Sequence, residues 1–335
     1  MAPAVPGRRC CLQLGIAVAL GSCLPPGALA QSPAPATVLD ETWTDSTRQR
    51  TLPLRIRWPA LPGEAGPLPV VLFSHGLGGT VEGGTLWGEA WAAAGFVVVH
   101  LQHPGSDLPA VRASASSFND RAGLRSAATA QQLLARVRDV GFVLDQIGQR
   151  QAARQGRWAG VRAERIGMSG HSFGAQTTLA MAGQAYPGFG GIAEPRLASF
   201  MAFSPSLPAS GDPQAAFARM ARPLLAVTGT RDQDVLGNGA TPERRMAVFG
   251  ALPAGDKGQL VLQDADHMTF AGQTGRAVEI QPREAVTRTL QATHHALVAA
   301  ITTDWWRATL RDDGAARARL AQPAGLAPGD TWQRN

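Results

Sequence analysis

A serine stands between two glycines in the segment Gly170–Gly174, which reads Gly-His-Ser-Phe-Gly. A serine hydroxyl is a weak nucleophile at neutral pH, so it needs a base, a group that orients the base, and donors for the oxyanion that forms. A short apolar run, Arg165–Met168, precedes this segment, and the helix-like run Ala175–Ala182 follows it. Strand, G-x-S-x-G and helix in that order predict a tight turn that exposes the hydroxyl of Ser172. The alternative is a glycine-rich turn with an inert serine.

Two later segments place a polar residue just after an apolar, strand-like run. Leu224–Thr228 leads into Asp232, and Gln259–Leu262 leads into His267. The chain order serine, acid, histidine is the one expected when a G-x-S-x-G serine is activated by a histidine. We therefore predict His267 as the general base and Asp232 as the carboxylate that orients it. Asp234 is the alternative acid, and either carboxylate could simply cap a turn.

The donors for the oxyanion are expected from two backbone amides. One is the N–H of Phe173, which follows the nucleophile, and the other comes from the glycine-rich loop after Phe73. In that loop Leu77 is our choice, with Gly78 as the alternative. A phosphate-binding turn is the rival interpretation of this loop, but it has neither the G-x-x-x-x-G-K-[ST] nor the G-x-G-x-x-G pattern.

The remaining histidines predict no metal site. His294 and His295 are adjacent in a helical stretch and cannot face the same way, and no Cys/His cluster has zinc spacing. His171 is expected to point away from the hydroxyl of Ser172. We expect no metal and no cofactor, and we predict an apolar substrate cleft to which three further side chains contribute. These are His103, Met268 and Phe270.

Elements with the periodicity of a parallel α/β protein connect these residues. The strand-like runs are apolar and short, and the longest helical patterns are Ala127–Ile147 and Glu284–Leu310. We predict a mostly parallel, doubly wound sheet with helices on both faces, with the site at the carboxyl ends of the strands. No cap domain is apparent between Phe203 and Leu224. The predicted strands are Thr51–Trp58, Pro69–Phe73, Phe96–Leu101, Arg165–Met168, Ala198–Phe203, Leu224–Thr228 and Gln259–Leu262.

Composition fits one large domain. The 335 residues are 44% hydrophobic and 17% charged, which disfavours a disordered chain and allows a sizeable core. The formal charge of +6 comes almost wholly from arginine, since Lys257 is the only lysine, and no basic run indicates a nucleic-acid partner. Two polar segments, 105–125 and 237–256, resist assignment, and the first is a candidate rim loop over the site. The sequence leaves the oligomeric state open.

The amino-terminal residues are typical of a secretory signal. Arg8 and Arg9 precede the apolar stretch Leu12–Leu20, and the small-residue site ends at Ala30. We expect residues 1–30 to be a signal peptide and residues 31–335 to be an exported catalytic domain, with no stable membrane insertion after cleavage. Lipoprotein anchoring at Cys23 and a twin-arginine signal are alternatives. All three cysteines fall inside the expected signal, so Ser172 has no thiol competitor.

Six segments together resemble a known family within the α/β-hydrolase superfamily. They span most of the chain in order and are similar to bacterial dienelactone-hydrolase-like proteins related to the plasma-type platelet-activating-factor acetylhydrolases. True dienelactone hydrolases carry a cysteine where this chain has Ser172, so lactone opening is not expected. The matching segments are Thr51–Leu54, Phe73–Gly79, His103–Ser106, Gly170–Gly174, Thr228–Asp232 and Asp266–Phe270.

The resemblance implies an α/β-hydrolase fold and cofactor-free hydrolysis of carboxylic esters with short to medium acyl groups. The expected partner is therefore a small-molecule ester. Two other functions stay open at this stage, because the same residues could pass the acyl group to an alcohol, and the fold could persist as an inactive exported binding module.

Overall fold

A computed structural model describes residues 1–4, 35–60, 67–117, 120–188, 190–275 and 282–335. The expected signal peptide, apart from its first four residues, and all three cysteines lie outside the described residues. The stretch Ala34–Asn335 forms a unit of its own by its internal contacts.

Nine strands in the described part of the chain form a single sheet in the order β1-β2-β4-β3-β5-β6-β7-β8-β9. The five neighbouring pairs from β4 to β8 are parallel, and the pairs β1–β2, β2–β4 and β8–β9 are antiparallel. The strands are β1 (Thr37–Asp45), β2 (Arg50–Trp58), β3 (Leu68–Ser74), β4 (Val97–Leu101), β5 (Val161–His171), β6 (Leu197–Phe203), β7 (Leu224–Arg231), β8 (Lys257–Asp266) and β9 (Thr331–Arg334).

The described helices lie between and after these strands. Two of them are long, α4 and α9, and two short 3₁₀ helices occur at Gly156–Gly160 and His267–Ala271. The helices are α1 (Thr85–Ala93), α2 (Leu108–Ser114), α3 (Arg121–Ser126), α4 (Ala130–Ala152), α5 (Phe173–Ala182), α6 (Pro213–Phe217), α7 (Pro242–Met246), α8 (Val248–Ala251), α9 (Ala285–Leu310) and α10 (Gly314–Ala321).

The apolar run of the central strand β3 is continuous because both faces of the strand are buried. Successive side chains of a strand point to opposite faces, and Val70 and Leu72 belong to one core cluster whereas Val71 and Phe73 belong to another. The first cluster includes the buried sides of α4 and α5, and the second includes those of α1 and α9. The predicted α/β architecture with a mostly parallel sheet covered by helices is therefore confirmed.

The order in which successive strands are added to the sheet changes direction at β3. Strand β4 lies on one side of β3, and β5 to β8 follow on the other side. In open α/β sheets the crevice at such a switch point, beyond the carboxyl ends of the strands, is the usual ligand site. Here the loop after β3 and the turn after β5 meet at that crevice.

Two edge strands were not predicted from the sequence. Strand β1 pairs with β2, and β9 pairs with β8, both antiparallel. Most residues of β1 are exposed and those of β9 alternate between exposed and half-buried, so neither carries an apolar signal. The unassigned segment 105–125 contains α2 and all but the last residue of α3.

Helix α9, the longest, has its carboxyl-terminal half buried in the core through Trp305 and Trp306. No helix among the described residues combines the length and the hydrophobicity that crossing a bilayer requires. Lys257, at the start of β8, is fully buried, and its ammonium group has no hydrogen-bond partner within the described residues.

Candidate active site

Ser172 occupies the turn between β5 and α5. Its backbone has φ 56° and ψ −113°, a combination that non-glycine residues rarely adopt, and its amide donates to the carbonyl of Phe203 at 3.0 Å. Because α5 begins at the next residue, the hydroxyl of Ser172 stands at the amino terminus of a buried helix. There the helix dipole favours developing negative charge.

The two flanking glycines are required by close backbone packing. A Cβ at Gly174 would lie 1.9 Å from the carbonyl oxygen of Ser74, and one at Gly170 would lie 2.4 Å from the carbonyl oxygen of Gly174. Any side chain at either position would push β3 and α5 apart. The G-x-S-x-G spacing therefore lets the turn press against the neighbouring strand.

Three side chains form an unbroken chain of hydrogen bonds. The hydroxyl of Ser172 donates to Nε2 of His267 at 3.0 Å, and Nδ1–H of His267 donates to Oδ1 of Asp232 at 2.7 Å. Asp232 is fully buried, His267 is nearly so, and Ser172 is half-buried. This is the geometry in which a histidine can take the proton of the serine while a carboxylate fixes its tautomer.

The carboxylate of Asp232 is kept ionised inside the protein. Burial raises the pKa of Asp232, but Arg245 and His267 outweigh burial and the pKa lies well below its usual range. Nε of Arg245 lies 3.0 Å from Oδ1, and the hydroxyl of Thr228 donates to Oδ2 at 2.8 Å. An ionised Asp232 can stabilise the imidazolium that forms on His267.

Asp234, the alternative acid, binds backbone amides of its own loop. Its carboxylate accepts the amides of Leu236, Gly237 and Gly239 at 3.1, 2.8 and 2.6 Å and so closes the loop that follows β7. The histidine is paired with Asp232 instead. The structure thus separates two carboxylates that the sequence could not rank by geometry.

The loop that carries His267 is fixed from both ends. Asp266 caps the 3₁₀ helix by accepting the amide of Thr269 at 2.9 Å, and Arg283 holds the Asp266 carboxylate at 2.6 Å. Nε2–H of His171 donates to the backbone carbonyl of His267 at 3.0 Å. Burial and the neighbouring His267 hold the pKa of His171 well below its usual value, so it remains a neutral donor.

The two predicted oxyanion amides are available. Within the described residues, neither Leu77 nor Phe173 donates its backbone N–H to a protein acceptor. The alternative donor, Gly78, gives its N–H to the carbonyl of Ser106 at 2.9 Å. Of the two loop residues considered, Leu77 is therefore the one with a free amide.

A fully buried arginine is hydrogen-bonded to the loop that carries Leu77. The guanidinium of Arg136 donates to the carbonyl of His75 at 2.7 Å and to the hydroxyl of Ser106 at 2.8 Å, and it lies 4.3 Å from the ring centroid of Phe173. Burial lowers the pKa of Arg136 to about 9, which still leaves it charged at neutral pH. One cation thus contacts both segments that supply the amides.

His103 does not line the cleft, contrary to the expectation from sequence. It is fully buried, accepts the hydroxyl of Ser74 at Nε2 (2.9 Å) and donates from Nδ1 to Asp139 at 3.0 Å. Its backbone amide also donates to Nε2 of His75 at 3.0 Å. His103 therefore supports the loop that follows β3 through its bonds to Ser74 and His75, and burial lowers its pKa to about 4 and keeps it neutral.

The two other cleft residues predicted from sequence differ from each other. Met268 lines a cavity of about 430 Å³ that opens over Ser172 and His267. Phe270 is fully buried in the core cluster with Trp87, and its carbonyl accepts the indole N–H of Trp87 at 3.2 Å. Phe270 is therefore a packing residue. We call the cavity over Ser172 and His267 the front cavity.

Four supporting residues escaped the sequence analysis. Arg136 and Asp139 lie on the face of α4 that also carries Val140 and Val143, so two charges on an apolar helical stripe were the available signal. Arg245 and Arg283 have no comparable signal in the sequence. Each contacts its aspartate, Asp232 or Asp266, across a loop, so the two partners share no helical or strand periodicity.

Among the described residues, no group of three or more His, Cys, Asp or Glu side chains is placed to hold a metal ion. Neither the models of known protein families nor the characterised proteins compared with this chain give a match.

Proposed function

We propose that this protein is an exported serine ester hydrolase with the α/β-hydrolase fold. The observation that carries the proposal is the hydrogen-bond chain from Asp232 through His267 to Ser172, which ends at the front cavity. The strained turn at Ser172 and the free amides of Leu77 and Phe173 support the same chemistry. Export rests on the expected signal sequence alone.

The reaction follows from the positions of these groups. Oγ of Ser172 attacks the ester carbonyl carbon while Nε2 of His267 takes the hydroxyl proton, and the amides of Leu77 and Phe173 bind the oxyanion. The tetrahedral intermediate then breaks its bond to the alkoxy oxygen, which receives the proton from His267. Water next attacks the acyl-enzyme with His267 as base, and the carboxylic acid leaves as Ser172 regains its proton.

The test combines labelling with turnover. Purified protein is incubated with a fluorophosphonate probe and, separately, with p-nitrophenyl acetate, with Ser172→Ala and Asp234→Asn as matched variants. We expect Ser172→Ala to lose the label and to lower turnover by roughly four to six orders of magnitude, because the three residues act as a unit. Asp234→Asn should keep the label.

The outcomes separate the competing functions. A wild-type protein that neither labels nor turns over ester contradicts the hydrolase proposal and favours a binding module. Turnover that yields a new ester when an alcohol is added, in place of free acid, identifies an acyltransferase.

A further inference from the structure

Two further hollows lie near Ser172, and His267 lines neither of them. The neck, of about 40 Å³, is lined by Ser172, Phe173 and Val235 among others. The side cavity, of about 570 Å³, is lined by Leu133, Phe173 and Leu207 among others. The side cavity is the larger space, yet neither catalytic side chain lines it.

The three hollows share lining residues in sequence, from the front cavity through the neck to the side cavity, and we take them together as one path. Ser172, Val235 and Leu236 line both the front cavity and the neck. Six residues line both the neck and the side cavity, so these two hollows share a large part of their walls. They are Ala128, Phe173, Gln176, Ser206, Asn238 and Ala240.

The position of His267 gives the path a direction. The alkoxy oxygen must lie near Nε2 of His267, because this nitrogen returns the proton that frees the alcohol. His267 lines the front cavity but neither the neck nor the side cavity. The alcohol part of an ester therefore extends into the front cavity, and the acyl part leaves Ser172 on the neck side.

The lining of the side cavity selects the chemistry of the acyl part. Its side chains are mostly apolar, and its two charged residues are already engaged: Asp212 caps α6 through the amide of Gln214, and Arg244 donates to the carbonyls of Leu207 and Pro208. An uncharged hydrocarbon chain matches this lining better than a carboxylate or a sugar does. The small volume of the neck admits a linear chain and excludes branching next to the carbonyl.

We propose that the side cavity is the acyl-chain site, so that the protein takes esters of linear, uncharged, medium-length acids, with the alcohol part in the front cavity. This inference rests on the proposed function, since it assumes that Ser172 is acylated. It also moves the expected substrate from short acyl groups towards longer ones.

The test fills the junction between the neck and the side cavity. Ala128 is half-buried at that junction and takes no part in catalysis, and Ala128→Phe narrows it. The kcat/KM values for the p-nitrophenyl esters of acetate, octanoate and pivalate are measured per active site titrated with a fluorophosphonate. This normalisation removes any misfolded fraction from the comparison. Ala240→Phe narrows the same junction from another loop, and Ala122→Phe is the matched control on the exposed surface of α3.

We expect wild type to prefer octanoate to acetate and to react poorly with pivalate. Ala128→Phe and Ala240→Phe should lower the ratio of kcat/KM for octanoate to that for acetate at least about tenfold, because the longer chain extends further into the filled space. Ala122→Phe should leave both values unchanged.

Leu108→Phe, which fills the front cavity, tests the direction of the path. It should change the ranking of p-nitrophenyl and ethyl esters while preserving the ratio of octanoate to acetate. If Leu108→Phe and not Ala128→Phe removes octanoate turnover, or if the ratio is the same in all variants, the acyl-chain assignment is wrong although the hydrolase proposal stands. Absence of both fluorophosphonate labelling and Ser172-dependent turnover of all three esters in wild type overturns the proposed function itself.

Discussion

Ser172 is held in a conformation that its own chemistry does not favour. With φ 56° and ψ −113°, a non-glycine residue carries backbone strain on the order of 1–3 kcal/mol. The strain persists because the Ser172 amide is bonded to Phe203 and α5 starts directly afterwards. Reactivity and stability therefore make opposite demands at this residue.

Replacement of Ser172 by glycine should separate these demands. Ser172→Gly and Ser172→Ala both lose the nucleophile, but only glycine accepts the positive φ without strain. We expect Ser172→Gly to be more stable than Ser172→Ala by about 1 kcal/mol in urea unfolding, despite the greater freedom of glycine in the unfolded chain. Equal stabilities, or a more stable alanine variant, would mean that the turn is not strained.

Arg136 offers a second measurement at the residue scale. Arg136→Met removes the cation that joins the His75 carbonyl to Phe173, so the two oxyanion amides should lose their alignment. We expect kcat for p-nitrophenyl acetate to fall on the order of 100-fold with KM changed less than about threefold, as for loss of an oxyanion donor.

Arg138→Met, on the exposed side of the same helix, is the matched control and should keep full activity. A purely structural role for Arg136 would lower the number of sites titrated by the fluorophosphonate and leave kcat per titrated site unchanged.

The sequence predicted the residues that the structure joins by hydrogen bonds better than it predicted the residues that support them. Ser172 and His267 stand out because G-x-S-x-G and a histidine after the last core strand are local patterns. Asp232 was predicted as the acid with Asp234 as the alternative, and the hydrogen bonds pair Asp232 with His267 and Asp234 with its own loop. His103 was misplaced for a related reason: a histidine at the end of a strand gives no sign of which way its ring faces.

At the scale of elements, helix α4 contains two glycines that neither close packing nor backbone conformation requires. A Cβ at Gly141 or at Gly148 would meet no atom within 4 Å, and neither residue has a positive φ. Glycine inside a helix costs roughly 0.5–1 kcal/mol relative to alanine.

Gly141→Ala and Gly148→Ala should therefore each raise the free energy of unfolding by roughly 0.5–1 kcal/mol. The two effects should add approximately, and ester turnover should not change. Urea titration of the single and double variants measures this, and Gly174→Ala serves as the contrasting glycine because its Cβ would strike the Ser74 carbonyl. A loss of stability on alanine substitution in α4 would contradict the reading of open space around it.

Element prediction succeeded where burial is strong and failed at the edges. The core strands and α4 are apolar or clearly periodic, and the structure has them within a few residues of the predicted bounds. Strands β1 and β9 form by backbone hydrogen bonding to the neighbouring strands β2 and β8. This pairing requires no apolar pattern in the sequence. Pairing of this kind depends on a neighbour that is distant in the sequence.

For the whole molecule, buried histidines couple stability to pH. Burial lowers the pKa of His100 to about 3 and that of His103 to about 4, whereas an unfolded histidine titrates near 6.5. Between these values the unfolded chain binds protons that the folded chain does not, so stability rises with pH. The contribution is complete above about pH 6.5 and is lost progressively as the pH falls towards 4.

We expect the free energy of unfolding to drop by several kcal/mol between about pH 7.5 and 4.5, since each tenfold change in proton affinity corresponds to about 1.4 kcal/mol. Urea titrations across this range measure the drop. Below about pH 5 the aspartates of the unfolded chain also begin to bind protons and add to the drop. Values at about pH 7.5 and 8.5 should agree, and a flat profile down to pH 4.5 would show that these histidines are protonated in the folded protein.

Lys257, the only lysine in the chain, lies fully buried where β8 starts between β7 and β9. An endoprotease that cuts after lysine therefore has one peptide bond available, and it reaches that bond only when the sheet opens. Scission yields two fragments whose appearance follows unfolding of the sheet at a single known position. Cleavage after Lys257 therefore reports opening of the sheet at a position distant in sequence from Ser172 and Asp232.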